Sequence, residues 1–332
     1  MSGADDQLDE FAFIREVLRP LTRGAREALQ LEDDVAIVAE SGERDLVVTT
    51  DAMVEGVHFL ADDPPELVAR KLLRVNLSDL AAKGAEPYAY LLVACWPDDY
   101  PAEARRRFAQ GLEADQHHYG LRLFGGDTVS TPGPLTLSVT MLGRAPRGGA
   151  VLRAGAVHGD RLLVTGTIGD GWLGLKVLSG ELGEMTAEHR DHLSGRYRLP
   201  EPRLELAEAL RLNAKAAADV SDGLVADAGH IAEASGQGVR IDLERLPLSP
   251  AAREWVDRQL GRDEALAALA TGGDDYEIVC AAPPAAANAL ITAAERLGVR
   301  LTDVGEFVRE PGVRVVSHGA PVEIASAGWR HG

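Results

Sequence analysis

Between Pro65 and Lys83 the apolar residues Val68, Leu72 and Val75 step by four and three along one helical face, and the next position on that face is a carboxylate, Asp79. An unpaired carboxylate in a core is costly, so the fold must bring it a basic side chain, backbone donors or a metal ion. A helix-terminal salt bridge or cap is the simplest such partner. Other aspartates, however, occupy similar places. Asp33 and Asp34 precede the strand-like run Val35 to Ala39, Asp51 ends the run Asp45 to Thr50, and Asp127 follows Leu121 to Phe124 through Gly125 and Gly126. The second half repeats the pattern with Asp219 and Asp222 in Asp-Val-Ser-Asp-Gly, and with Asp274 and Asp275 in Gly-Gly-Asp-Asp-Tyr-Glu. Singly, each is an ordinary turn or cap aspartate. Together, at the ends of strands where loops converge, they predict one shared polar site.

Oxygen ligands without a cysteine cluster select magnesium, calcium or manganese, and the irregular spacing is unlike a calcium-binding loop. Magnesium carrying phosphates is the natural occupant. Glycines beside the acids let backbone approach a ligand closely, and Ser221 and Thr128 offer hydroxyls and amides to phosphate oxygens. A formal net charge of −18 with dispersed basic residues repels a nucleic-acid backbone, which excludes that class of partner. An anionic ligand of so acidic a protein needs cations between the two.

The chain has 332 residues, enough for two domains with their own cores. Strands are predicted at Val35 to Ala39, Asp45 to Thr50, Tyr88 to Cys95, Leu121 to Phe124 and Leu135 to Leu142, with helices opened by Pro64-Pro65 and Pro101 and closed at Gly84 and Gly120. A further amphipathic helix is predicted from Phe11, Ile14, Val17 and Leu18. The Ala-Pro-Arg-Gly-Gly stretch at 145–149 predicts a connection, dividing the chain into α+β domains at 1–146 and 147–332. The second domain has predicted strands at Arg161 to Thr165, Gly238 to Leu243, Tyr276 to Ala281 and Val313 to Ser317 among Ala- and Leu-rich helices. No apolar run suits a bilayer and the first ten residues are acidic, so a cytoplasmic protein without a membrane partner is expected. Cys95 and Cys280 lie in apolar runs and are expected to be core thiols. Gly169 to Gly174 matches the dinucleotide fingerprint, but the segments after it are helical in pattern, so it is expected to be close packing at a helix start. No P-loop, protein-kinase set or nucleophile elbow occurs. Taken alone, His58 and the His117-His118 pair are a packed imidazole and a helix-end pair.

As strings, Thr49-Thr50-Asp51-Ala52-Met53-Val54-Glu55-Gly56-Val57-His58-Phe59, Asn76-Leu77-Ser78-Asp79, Gly125-Gly126-Asp127-Thr128, Asp219-Val220-Ser221-Asp222-Gly223 and Gly272-Gly273-Asp274-Asp275-Tyr276-Glu277 resemble the motif series of the thiamine-monophosphate kinase family, from about Phe11 to Trp329. The wider superfamily, with aminoimidazole ribonucleotide synthetase, selenophosphate synthetase and a hydrogenase maturation factor, shares the framework. The resemblance implies a two-domain α+β fold: an N-terminal mixed sheet that forms a barrel-like interface with a second copy, and a C-terminal α/β sandwich. It implies ATP and Mg2+ as cofactors, thiamine monophosphate as acceptor, and a homodimer. By position it implies magnesium ligands at Asp34, Thr49, Thr50, Asp51, Asp79 and Asp127 in the first half, and at Asp219 and Asp222 in the second. Nucleotide contacts fall on Gly126, Asp127, Arg153 and Ser221, and thiamine-phosphate contacts on His58, Asp274 and Trp329. Asp51, Asp127, Asp222 and Arg153 form the implied catalytic group. The sequence departs from the family at Glu32 for a glycine, at Lys83 for a methionine and at Asp274 for a glutamate. The alternatives are a synthetase that activates another acceptor with ATP, and a catalytically silent nucleotide- or metal-binding subunit.

Overall fold

The computed structural model describes Arg15, Arg19 and residues 25–39, 42–324 and 326–329; the amphipathic helix expected around Phe11 to Leu18 lies outside the described residues. The first sheet is built from β1 (Ala36–Ala39), β2 (Arg44–Val54), β3 (Glu86–Pro97), β4 (Leu123–Thr131) and β5 (Thr136–Pro146), in the order β1-β2-β5-β3-β4. Only β3 and β4 run parallel. Alternation along the strands sorts the side chains. Val47, Met53, Leu137, Val139 and Met141 are buried on the inner face, under α1 (Pro65–Ala82) and α2 (Ala102–Tyr119), while Leu91, Val93 and Val129 remain exposed on the outer face. In a single chain this sheet is open, with β1 and β4 at its edges.

Two strands run further than the sequence suggests. β2 continues to Val54, so Asp51 stands inside it rather than at its end, and β4 carries Gly125, Gly126 and Asp127 within its span rather than after it. Glycines here permit pairing instead of ending it. A Cβ on Gly126 would lie 1.8 Å from the Leu92 carbonyl oxygen, so only glycine lets β4 lie this close to β3.

The second sheet has the order β12-β11-β8-β10-β6-β9-β7, with β6 (Arg161–Thr165), β7 (Ala216–Asp219), β8 (Gly238–Asp242), β9 (Ile278–Ala282), β10 (Leu301–Val308), β11 (Gly312–Ser317) and β12 (Ala320–Pro321). β11 and β8 are parallel and the remaining pairs antiparallel. Sequence reading missed β7, whose three alanines carry little strand preference, and β10. Helices cover both faces, as in the expected sandwich. α6 (Leu224–Ala234) and α8 (Arg262–Thr271) pack on one side; α5 (Ala207–Asn213) and α9 (Pro284–Arg296) pack on the other.

The Gly169 segment opens α3 (Asp170–Leu178) as expected, and α4 (Ala187–Arg198) follows it. The amides of Gly169 and Gly171 donate to the Asp275 carboxyl group at 2.8 and 3.1 Å, so this helix start is already occupied by a side chain of the protein's own. Cys280 is fully buried, and burial pushes its thiol up to about 12. Cys95 departs from the core expectation: it is half-buried, on the same strand face as exposed Val93.

α1 explains why so many polar residues lie along an apolar helix. It is wedged between β2 and β5 on one side and β7 and β9 on the other, so the whole run from Leu72 to Ala82 is buried. The apolar stripe faces the first sheet. Lys71, Asn76, Ser78 and Asp79 are also buried on this helix and meet polar partners in the inter-sheet seam, while buried Arg74 pairs with Asp115 on α2.

Candidate functional site

The seam collects acids from four elements. Asp79 comes from the last turn of α1, Asp51 from the inner face of β2, Asp219 from the end of β7, and Asp34 from the segment before β1. Carboxylate oxygens of Asp34, Asp79 and Asp219 lie within 4.8 Å of one another. Asp51 is close enough to Asp79 for its charge to act on it, and the Thr49 hydroxyl bonds both Asp79 and, at 3.2 Å, the Asp34 carbonyl. Asn76 locks helix to strand: its Oδ1 accepts the Asp51 amide at 3.2 Å while its Nδ2 donates to the Leu72 carbonyl at 2.9 Å.

This group carries more negative charge than its neighbours balance. Burial pushes Asp51 up to about 6. Asp79 is driven well above the usual carboxylate range, first by burial and then by the charges of Asp51 and Asp219. Asp219 is likewise pushed up to about 6 by burial, against the opposing pull of a hydrogen bond with Ser78. Two cations stand at the Asp34 end. Lys83 reaches Asp33 and Asp34 at 3.0 and 2.7 Å, and Arg153 pairs with Asp34 through Nη2 while its amide donates to Asp33 at 2.6 Å. Asp33 Oδ1 and Asp34 Oδ2 are taken by the Lys83 ammonium, while Arg153 Nε is buried without a hydrogen bond. Oxygen donors from Asp51, Asp79 and Asp219, with a guanidinium nitrogen to spare beside them, suit a hard divalent cation and a phosphate oxygen.

A second station adjoins the cage. Lys71, buried, lies 2.8 Å from Asp274 Oδ2, 3.7 Å over the ring of Tyr197 and 3.2 Å from the His58 carbonyl. His58 Nδ1 accepts the Val54 amide at 3.0 Å, which places the ring proton on Nε2. The Asp274 amide donates to the Ser221 carbonyl at 2.7 Å and the Tyr276 amide to the Val220 carbonyl at 2.8 Å. Asp274 and Tyr276 hold left-handed backbone, φ 64° and 51°, so this turn is strained into place between the two stations.

The third group is Asp222, Asp227 and His230, whose ligand atoms lie within 4.8 Å of one another. The Trp329 amide donates to the Asp222 carbonyl at 3.0 Å, and a cavity of about 460 Å³ opens beside Asp222, Val225, His230 and Trp329. Asp227 accepts the amides of Asp222 and Gly223 at 3.2 and 3.1 Å, and burial drives its carboxyl well above the usual range. The sequence reading passed over Asp227, although its signal matches that of Asp79: it sits on the buried stripe of α6 with Leu224, Ala228 and Ile231.

The fold thus brings together Asp34, Thr49, Asp51, Asp79, Asp219 and Arg153; it joins His58 to Asp274, and Asp222 to Trp329, with Ser221 between. Three expected residues stand apart. The Thr50 hydroxyl lies on the outer face of the sheet, bonding the Val139 carbonyl at 3.0 Å and Thr140 Oγ1 at 3.3 Å. Gly126 and Asp127 lie exposed on edge strand β4, Asp127 opposite outward-facing Val93, with its own carboxylate accepting the Thr128 amide at 2.9 Å. The cause is strand alternation, which turns Thr49 and Asp51 inward and Thr50 outward.

Comparison with known proteins agrees with this architecture. Residues 32–145 match the family model for the AIR synthase related protein, N-terminal domain, and residues 157–318 match that for the C-terminal domain. The thiamine-monophosphate kinase of Caulobacter vibrioides is 54% identical over 97% of this chain and 91% of its own, and that of Escherichia coli K12 is 39% identical over 91% of each. The solved structure of AaThiL complexed with AMPPCP and TMP superposes with a TM-score of 0.83 at 29% identity, covering 100% of this chain and 99% of that one. The chain belongs to the AIR synthase related proteins and, within them, to the thiamine-monophosphate kinase family.

Proposed function

We propose that the chain transfers the γ-phosphoryl group of ATP to the phosphate of thiamine monophosphate, giving thiamine diphosphate and ADP. One observation carries this reading: Asp51, Asp79 and Asp219 are held together in a dry seam with their charge unbalanced, an arrangement that invites divalent cations. The names of the relatives and the ligands AMPPCP and TMP in the AaThiL complex support the choice of substrates.

Mg2+ fits the donors, and Asp34, Asp51, Asp79 and Asp219, with the Thr49 hydroxyl, would hold it. Bound there, it supplies charge neutralisation for the oxygens of two anions that must approach each other. The chain's own residues do the rest. Arg153, anchored on Asp34 with a buried Nε to spare, offers a donor to a phosphate oxygen, and Ser221 lies at the turn shared by Asp219 and Asp274. Lys71 fixes Asp274 and the His58 loop, where the thiamine end of the acceptor would dock; Trp329 borders Asp222 nearby. A phosphate monoester has its second ionisation at about 6, so the attacking oxygen needs no general base near neutral pH. Transfer is direct, without a phospho-enzyme.

Thr50, Gly126 and Asp127 enter through a second copy. The exposed outer face with Leu91, Val93 and Val129 is apolar enough to pair with its like, and pairing there would enclose the three residues at a shared nucleotide site. On this reading 1–146 is the dimerising and ATP-binding domain, 147–332 completes the substrate site, and the enzyme works in the cytoplasm. The test is purified protein with ATP, Mg2+ and a panel of phosphorylated acceptors, products identified by mass. Thiamine diphosphate from thiamine monophosphate is expected; turnover only with another acceptor, or labelled phosphate trapped on the protein, contradicts it.

A further inference from the structure

Lys83 ends α1 with a side chain that is 0% exposed. Its ammonium lies 3.0 Å from Asp33 Oδ1 and 2.7 Å from Asp34 Oδ2, and it donates to the Ala217 carbonyl on β7 at 2.8 Å. Three oxygens, two from the adjacent Asp33 and Asp34 and one from β7, therefore surround one positive charge, and the two carboxylate atoms are buried with no hydrogen bond besides this ion pair. Such a nest of carboxylate and carbonyl oxygens is what a hard metal ion takes, except that this cation is tethered and cannot leave. It also borders the cage, since Asp34 is near Asp79 and Asp219 as well. With Lys83 on one oxygen and Arg153 on the other, Asp34 offers an incoming ion less charge than Asp51, Asp79 and Asp219 do, and serves it as the weakest of the four carboxylates.

We propose that Lys83 is a built-in cation of the acid cage: it takes the place of one divalent ion at the Asp33–Asp34 end, so the cage binds one ion fewer than it does with an uncharged residue at 83. It also keeps Asp33 and Asp34 drawn inward before any ion arrives. Lys83 is a positioning residue, for it acts on the ligands rather than on substrate. The exchangeable ions then depend mainly on Asp51, Asp79 and Asp219. This inference rests on reading the seam as a cation cage, and the experiment separates the two.

Mn2+ is the probe, counted at saturation by electron paramagnetic resonance, with thermal unfolding recorded in its presence and absence. Wild-type protein, Lys83→Met and the shape-preserving Lys83→Gln are compared. Both variants are expected to bind one more Mn2+ per chain than wild type, and their melting temperatures are expected to depend far more strongly on Mn2+. Should Lys83→Met fold only with Mn2+ present, that too is expected, and adding Asp33→Asn should restore ion-free folding. Equal ion counts in all three proteins overturn the role of Lys83 and leave the cage standing. A wild type that takes up no Mn2+ overturns the cage and this inference with it.

Discussion

Asp51 and Asp79 bear on each other's charge across the seam, the first from a strand of the N-terminal sheet and the second from the helix wedged between the two sheets. Two carboxyls this close in a dry place cannot both be ionised cheaply, so the protein stores an electrostatic penalty that a bound cation would relieve.

Asp79→Asn follows directly from that relationship. Turnover should fall by at least about 100-fold, the scale of losing one charge-stabilising element. The ion-free protein should become more stable by on the order of 1–3 kcal/mol, because a buried like-charge contact is removed. Urea unfolding beside a kinetic assay checks both; lower stability with normal turnover contradicts the assignment.

Stability should also depend on pH with a definite sign. Asp51 and Asp219 are raised to about 6, against about 4 in an unfolded chain. Between those values the folded protein keeps protons that the unfolded chain has released, so ion-free stability falls as pH rises through this window. Mg2+ competes with those protons, and its stabilising effect should grow over the same range. Unfolding curves taken across the window, with and without Mg2+, check this against an Asp51→Asn/Asp219→Asn variant, whose profile should be flatter.

The pair of Lys71 and Asp274 predicts a selective defect. Lys71→Met leaves Asp274 unheld and removes the contact to the His58 carbonyl. The KM for thiamine monophosphate should rise by about tenfold or more, equivalent to about 1.4 kcal/mol of lost positioning, with the KM for ATP little changed. Equal changes in both KM values would point to general loosening of the seam instead.

Asp127 lies on the opposite sheet face from Asp51, so the role proposed for it calls for a neighbouring copy. Asp127→Asn and Asp79→Asn homodimers should each be inactive, while mixed dimers should regain turnover because one of their two composite sites is intact. Co-expression with two affinity tags and assay of the doubly tagged species checks it. Inactive mixed dimers would place Asp127 in the same chain's site.

Much of this architecture is legible in the sequence where local pattern and tertiary demand agree. The helix of α1 and its anomalous carboxylate can be read from the spacing of Val68, Leu72, Val75 and Asp79, because the stripe facing the first sheet is an ordinary amphipathic one. What spacing does not reveal is that the other face is buried as well, so Lys71 and Lys83 have the pattern of solvent-facing charges although they pair inside the seam. In the sequence Asp51 and Asp127 read as strand ends because Asp and Gly usually stop strands; β2 and β4 run through them since their partners β5 and β3 are long enough to keep pairing. β7 is a strand because its neighbours require one, and Ala-Ala-Ala-Asp carries no signal of it.

The central claim is that the seam is a cage for divalent cations, and anomalous scattering from crystals grown with Mn2+ tests it most directly. Peaks within coordination distance of the carboxylates of Asp51, Asp79 and Asp219 are the predicted result, at roughly 2.0–2.4 Å from oxygen. Well-ordered crystals with these three side chains in place and no anomalous peak among them would contradict the account.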